Sequence, residues 1–165
     1  MAFSQKLEMK YFIIIILFQI TELPTFGQCD ESLIGDWRVI SCFNGEVYFN
    51  LKNDSTFLTP EMKELYPDST SQWAFIQAAK DIYGSLVYHY AKDGTFIITA
   101  EAHYLNSGKY CFIPSDKVVL ETTKNSLGKE VVENVNARLE NDLLYLSKKW
   151  EEDKKYNIVL EKVTK

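Results

Sequence analysis

The chain has 165 residues, of which 46% are hydrophobic and 25% charged, and its formal net charge is −5 at pH 7. An acidic chain without a cluster of Lys and Arg is not expected to bind nucleic acid. Its length allows one domain with one hydrophobic core.

The first 27 residues have the pattern of a secretory signal peptide. Two lysines precede the apolar stretch 11–20, and small side chains at Thr25 and Gly27 suit cleavage before Gln28. The apolar stretch is too short for a membrane span, which needs ~20 residues. We therefore expect an exported domain of residues 28–165, periplasmic or secreted, without a transmembrane segment.

Three cysteines, Cys29, Cys42 and Cys111, remain after cleavage. Export permits a disulfide, and the odd count leaves one cysteine over, but the sequence does not give the pairing. Cys29 stands where a bacterial lipoprotein would carry its lipid. The preceding Gln28 is not the small residue which that processing needs, so lipid anchoring is disfavoured. No Cys or His spacing indicates a metal site.

The first strand is predicted at Leu33–Phe43, followed by an Asn44-Gly45 turn and a short strand at Glu46–Leu51. Alternation along the first strand places Trp37, Val39, Ser41 and Phe43 on one face and Arg38, Ile40 and Cys42 on the other.

Residues 59–83 have helical spacing instead. Thr59 is a suitable N-cap before Pro60, and a second helix is predicted from Ser69 or Thr70 to Tyr83, with Gly84 as its stop. Both helices are apolar along one side. We consider two roles for this insertion, a fixed cap on the barrel and a movable lid whose closing residues are Trp73, Phe75 and Ile76.

The rest of the chain predicts a β-meander. Its expected strands are Ser85–Ala91, Thr95–Tyr104, Lys109–Ile113, Lys117–Thr123, Glu130–Leu139, Leu143–Lys149 and Lys155–Val163. The turns include Asp93-Gly94 and Asn106-Ser107-Gly108. Together with the first strand these make eight, which indicates a sandwich or a barrel.

The Asp93-Gly94 hairpin allows two registers. A three-residue loop with Gly94 in a left-handed bulge pairs Tyr88 with Ile98 and Tyr90 with Phe96, which brings large apolar side chains onto one face. We favour this register over the two-residue loop. It places His89 and His103 on the opposite face, far apart along the hairpin.

Several short motifs resemble the lipocalin-like (calycin) domains of small exported bacterial proteins. They are Leu33-Ile34-Gly35-Asp36-Trp37, Lys92-Asp93-Gly94-Thr95-Phe96, Gly108-Lys109-Tyr110 and the alternating segments Leu143–Ser147 and Ile158–Val163. The resemblance implies an all-β fold, an eight-stranded antiparallel up-and-down β-barrel around one apolar cavity, here with two helices between the first strands. Fatty-acid-binding proteins also carry helices there, but they are cytosolic and ten-stranded. The family sets a last-strand arginine against the first-strand tryptophan, whereas this chain offers Lys162, whose stem could substitute.

The expected interior is aromatic, with polar tyrosine tips, as a small-molecule site requires. Its predicted lining residues are Trp37, Val39, Tyr88, Tyr90, Phe96, Ile98, Tyr110, Phe112 and Tyr145. An eight-stranded barrel is either filled by such side chains or holds one small ligand, and the sequence leaves both open. Arg38 and Arg138 face outward, which disfavours an arginine clamp for a carboxylate.

We expect no catalytic residue and no cofactor, because neither histidine has a carboxylate or nucleophile placed beside it. The predicted function is binding of a small hydrophobic ligand inside the barrel. The alternatives are a protein-interaction or inhibitor module with a filled core and a calycin-type enzyme, which two ionisable side chains converging on a cavity would favour. Oligomeric state and ligand identity remain open.

Overall fold

The structure is a computed structural model, and it describes residues 29–101, 103–149 and 155–164. The predicted signal peptide and its cleavage site lie outside these ranges. No helix within the described ranges is both long and apolar enough to cross a membrane.

A short 3-10 turn, Glu31–Leu33, precedes the first strand. The ten strands are β1 (Gly35–Phe43), β2 (Val47–Asn50), β3 (Thr56–Leu58), β4 (Leu86–Tyr90), β5 (Thr95–Ala100), β6 (His103–Ile113), β7 (Val118–Lys124), β8 (Glu130–Glu140), β9 (Leu143–Lys149) and β10 (Lys155–Lys162). Two helices, α1 (Pro60–Leu65) and α2 (Ser69–Gly84), lie between β3 and β4.

Eight strands, β1 and β4 to β10, form a closed antiparallel barrel because β10 pairs back onto β1. The first half of β1 pairs with β4, from Gly35 opposite Tyr90 to Arg38 opposite Val87. The second half of β1 instead pairs with β2, so the β2–β3 hairpin continues the sheet beyond the ring. The predicted fold class, an eight-stranded antiparallel barrel with a helical insertion, is confirmed.

The hairpin between β4 and β5 has the favoured three-residue register. Tyr88 pairs with Ile98 and Tyr90 with Phe96, and Gly94 has a φ of +77°. Burial of the large side chains on one face thus determines the register, as the sequence predicts.

The predicted turn at Asn106-Ser107-Gly108 is wrong, because all three residues lie inside β6. Gly108 pairs with Phe96, and a Cβ built on it would stand 2.1 Å from the Thr122 carbonyl oxygen and 3.0 Å from Phe96 Cε1. This glycine therefore serves close packing between strands, and it does not mark a turn.

A β-bulge interrupts β1, because Val39 pairs with Leu160 while Ser41 pairs with the adjacent Val159. The extra residue, Ile40, reverses the alternation of the remaining strand. Cys42, predicted on the outer face, consequently lies in the barrel core, while Phe43 contacts Phe57 on β3 at 5.9 Å between ring centroids.

Both helices begin where predicted, α1 after the Thr59 cap and α2 at Ser69, whose cap Asp68 was not predicted. The Thr59 side chain accepts from the Met62 amide at the start of α1, and Asp68 accepts from Ser71 at the start of α2. Both helices pack against the β2–β3 hairpin in a small second core. It contains Val47, Leu58, Met62 and Ala79, with Tyr66, Phe75, Ile76 and Tyr83 at its edge.

A disulfide joins Cys29 to Cys111 on β6, and the two cysteines are 82 residues apart in the sequence. The adjacent Asp30 amide donates to the Phe112 carbonyl at 3.0 Å. The N-terminal end of the described domain is therefore held against the barrel wall, and Cys42 is left as a buried free thiol.

Candidate functional site

Trp37 closes one end of the barrel. Its indole Nε1 donates to the Leu33 carbonyl at 2.7 Å, and the ring is fully buried. The Lys162 ammonium from β10 lies 5.3 Å from the ring centroid, within the range of a cation–π contact. Lys162 thus makes the contact with the first-strand tryptophan for which the sequence resemblance predicted it as a substitute for arginine.

Aromatic side chains fill the barrel next to this closure. The rings of Tyr90 and Tyr110 meet edge to face at 4.8 Å between centroids, and Phe96 lies 6.3 Å from Tyr90. The Tyr110 hydroxyl donates to the Ala91 carbonyl at 3.0 Å. Val39 and Phe112 are buried in the same core. Six predicted lining residues therefore act here as packed core: Trp37, Val39, Tyr90, Phe96, Tyr110 and Phe112.

The other half of the barrel contains a cavity of about 400 Å³. It includes the predicted residues Tyr88 and Ile98. Its other lining residues are Tyr83, Leu86, Leu105, Asn106, Glu121, Val135, Leu146, Lys148, Tyr156 and Ile158. Leu105, on β6, is 55% exposed, so the cavity reaches the surface at that strand. The barrel is thus filled at one end and hollow at the other.

Glu121 on β7 is the buried acid of this cavity, and it is not among the residues predicted from the sequence. Its side chain points inward beside Tyr110, its cross-strand partner, and only 7% of the residue is exposed. The pKa of this carboxyl is raised to about 7, mainly by burial, which outweighs the lowering effect of the Lys148 ammonium and is assisted by the Glu133 carboxylate. Within the described ranges, no group hydrogen-bonds to the Glu121 carboxyl.

Lys148 is the second ionisable side chain that lines the cavity. Its ammonium forms an ion pair with Glu133, and both side chains are about one-third exposed. Two ionisable groups, Glu121 and Lys148, therefore converge on one cavity. The Lys148 ammonium attracts the Glu121 carboxylate, but its ion pair is formed with Glu133. Glu121 therefore faces the cavity with neither a hydrogen bond nor an ion pair of its own among the described residues.

Tyr88, Tyr156 and Cys42 form a buried polar group at the side of the cavity. The Tyr156 hydroxyl hydrogen-bonds to the Cys42 thiol. Burial raises the pKa of the thiol to about 12 and also raises the pKa of both phenols. These groups therefore stay protonated at neutral pH and can act as hydrogen-bond donors.

Tyr145, predicted to face the interior, lies on the outer surface of β9. Its neighbours Leu144 and Leu146 point into the core, and the Arg138 guanidinium stacks over the Tyr145 ring at 4.4 Å. Both Arg38 and Arg138 face outward as expected, with side chains 62% and 57% exposed.

The three residues proposed as a lid do not line the cavity of the described barrel. Phe75 and Ile76 pack into the second core against the β2–β3 hairpin, and Trp73 is 64% exposed. Tyr83, near the end of α2, does line the cavity and lies 5.9 Å from Tyr156 between ring centroids. The insertion therefore contacts the cavity through its last turn.

His89, for which no carboxylate partner was predicted, has one in the structure. Its Nδ1 lies 2.9 Å from the Asp36 carboxylate and its Nε2 lies 3.1 Å from the Thr99 hydroxyl, on the outer face of the barrel. The pairing of Asp36 with His89 between β1 and β4 brings them together. Across the described ranges, no three His, Cys, Asp or Glu side chains are grouped as metal ligands.

No protein-family model matches the chain, and no curated protein matches it. Among solved structures, the fold is similar to the crystal structure of a DUF4847 family protein from Bacteroides vulgatus, with a TM-score of 0.50 and 17% sequence identity. The match covers 82% of this chain and 98% of that chain. At this identity the similarity concerns the fold alone, and it agrees with a calycin-like barrel.

Proposed function

We propose that this chain is an exported, lipocalin-like protein that binds a small, mainly hydrophobic molecule inside its barrel. The observation that carries the proposal is the cavity of about 400 Å³ in the unfilled half. Small-molecule sites are clefts of roughly 300–1,000 Å³ with apolar walls and a few placed polar groups. The described lining has this composition, with aliphatic and tyrosine side chains around Glu121 and Lys148.

The export part of the proposal rests on the N-terminal pattern of residues 1–27. A disulfide between Cys29 and Cys111 agrees with it, because such bonds persist mainly in oxidising compartments. The same bond occupies the Cys29 sulfur that a lipid anchor would need, which speaks against lipidation. The lipocalin-like part is supported by the contact of Trp37 with Lys162 at the barrel closure.

The test is titration with a neutral fluorescent probe, N-phenyl-1-naphthylamine, against wild type and two matched variants. Ile98 lines the cavity, whereas its neighbour Ile97 faces outward and is 39% exposed. We expect saturable binding of one probe to wild type and to Ile97→Trp, and loss of binding in Ile98→Trp, whose indole fills the cavity. Circular dichroism verifies that both variants fold. Absence of saturable binding to wild type, or unchanged binding to folded Ile98→Trp, would refute the proposal.

The alternative is a protein-interaction module, and one observation favours it. The helices expose Leu65, Trp73 and Ile82, each more than 60% accessible. Large exposed apolar side chains can mark interaction sites, although these three are spread over both helices. This reading assigns no role to the cavity, so failure of the probe titration would favour it. Neither function requires a catalytic step.

A further inference from the structure

We propose that the cavity accepts an amphipathic amine, a small apolar molecule whose ammonium group binds the Glu121 carboxylate. This inference rests on the proposed function, since it names the chemical class of ligand for the same cavity.

The first argument is the state of Glu121. The residue is more than nine-tenths buried, lines the cavity, and receives no hydrogen bond from any residue in the described ranges. A carboxylate that is removed from water without a compensating hydrogen bond is costly. A ligand that donates hydrogen bonds and carries positive charge would satisfy this group.

The second argument is the balance of charge. Glu121 and Lys148 are the charged residues among the described residues that line the cavity, and Lys148 is paired with Glu133. Two acids and one base leave one negative charge when Glu121 is ionised. An anionic ligand would have to compete with Glu133 for Lys148 and would lie close to Glu121, whereas a cation meets complementary charge.

The third argument is the wall around the acid. Leu86, Ile98, Leu146 and Ile158 provide apolar surface for the body of the ligand. The rings of Tyr88 and Tyr156 border the same space, and aromatic faces attract cations as well as apolar groups. The ammonium group of such a ligand would contact Glu121, and its hydrocarbon body would contact these apolar and aromatic side chains.

The ionisation of Glu121 makes the preference depend on pH. The groups that face it are Lys148 on β9, Glu133 on β8, Tyr110 on β6, Tyr88 and Tyr90 on β4, and Tyr156 on β10. Burial raises the pKa of all four tyrosines, so they stay neutral. Glu121, whose pKa lies near 7, loses its proton as the pH rises, and affinity for an ammonium increases with it.

The experiment compares octylamine, 1-octanol and octanoate as competitors of the neutral probe at pH 8. These ligands share one hydrocarbon body and differ in the charge of the head. We expect octylamine to bind about 10- to 100-fold more tightly than octanol, the value of a hydrogen bond to a charged group, and octanoate to bind most weakly. Glu121→Gln should remove the advantage of octylamine, while octanol binding stays within about threefold.

The matched control is Glu130→Gln, which changes an exposed acid at the start of β8. It should leave all three affinities unchanged. A second measurement requires no variant: the wild-type affinity for octylamine should fall between pH 8 and pH 5.5, while that for octanol stays constant. If octanoate binds as tightly as octylamine, or if the amine preference survives in Glu121→Gln, the inference is overturned. Binding of the probe and octanol without an amine preference refutes this inference alone, whereas absence of all binding refutes the proposed function too.

Discussion

Replacing Glu121 by glutamine should stabilise the protein at pH 8 and much less at pH 5. Folding raises the pKa of this carboxyl from 4.5 to about 7. The folded protein therefore keeps a proton that the unfolded chain releases, so this group's contribution is most favourable below pH 4.5 and is lost as the pH rises to 7. At 1.36 kcal/mol per pKa unit, the full loss is ~3 kcal/mol of unfolding free energy. Because the residue is only 7% exposed, solvent screening reduces this value little.

Urea denaturation followed by tryptophan fluorescence measures the effect. We expect the stability of Glu121→Gln relative to wild type to be about 2.5 kcal/mol greater at pH 8 than at pH 5. The comparison cancels the pH dependence of Asp30, Asp68, Asp93 and Glu161, whose pKa values lie below normal in both proteins. Glu130→Gln should show no such difference. If the relative stability of Glu121→Gln is the same at both pH values, Glu121 is not a desolvated acid.

Three further results are expected. The double variant Cys29→Ser/Cys111→Ser should lose about 2–4 kcal/mol of unfolding free energy in urea, because the disulfide closes a long loop; an unchanged midpoint would contradict this. Gly108→Ala should cost about 1–3 kcal/mol, since its Cβ would overlap the Thr122 carbonyl, and a neutral effect on the melting temperature would show that the strands can separate there. The Cys42 thiol should resist Ellman's reagent in the native protein and react on unfolding, because burial protects it and raises its pKa to about 12; rapid native reaction would contradict its placement.

The barrel could be predicted from sequence where one face of a strand is clearly more apolar than the other. Tyr88, Tyr90 and Phe96 determined the register of the β4–β5 hairpin in this way. Tyr145 was placed on the wrong face, because the predicted alternation of Leu143–Ser147 rests on four consecutive apolar residues, 143–146. Either face of β9 fits such a run equally well, and only the pairing with β8 resolves it.

Other features have no local signal. The bulge at Ile40 reverses the faces of β1, and nothing in the neighbouring residues marks it. Glu121 stands beside Leu120, and hydrophobicity alone favours the leucine as the inward residue. The register between β6 and β7 shows that Glu121 faces inward, because inward Phe112 pairs with Val119 and inward Tyr110 pairs with Glu121. The cavity acid could therefore have been found by extending the register from β6 to β7.

The first half of β1 pairs with β4 and the second half with β2, and this arrangement determines which part of the chain can be replaced without opening the barrel. The ring of hydrogen bonds closes through β4 and β10 without using residues 44–85, so that segment can be exchanged while the ring stays intact. Among the residues it contributes, Tyr83 reaches the cavity. Residues 44–85 are therefore a position where another segment could be inserted. Replacement there would alter the rim of the cavity and the outer helical surface, and would leave the buried acid in place.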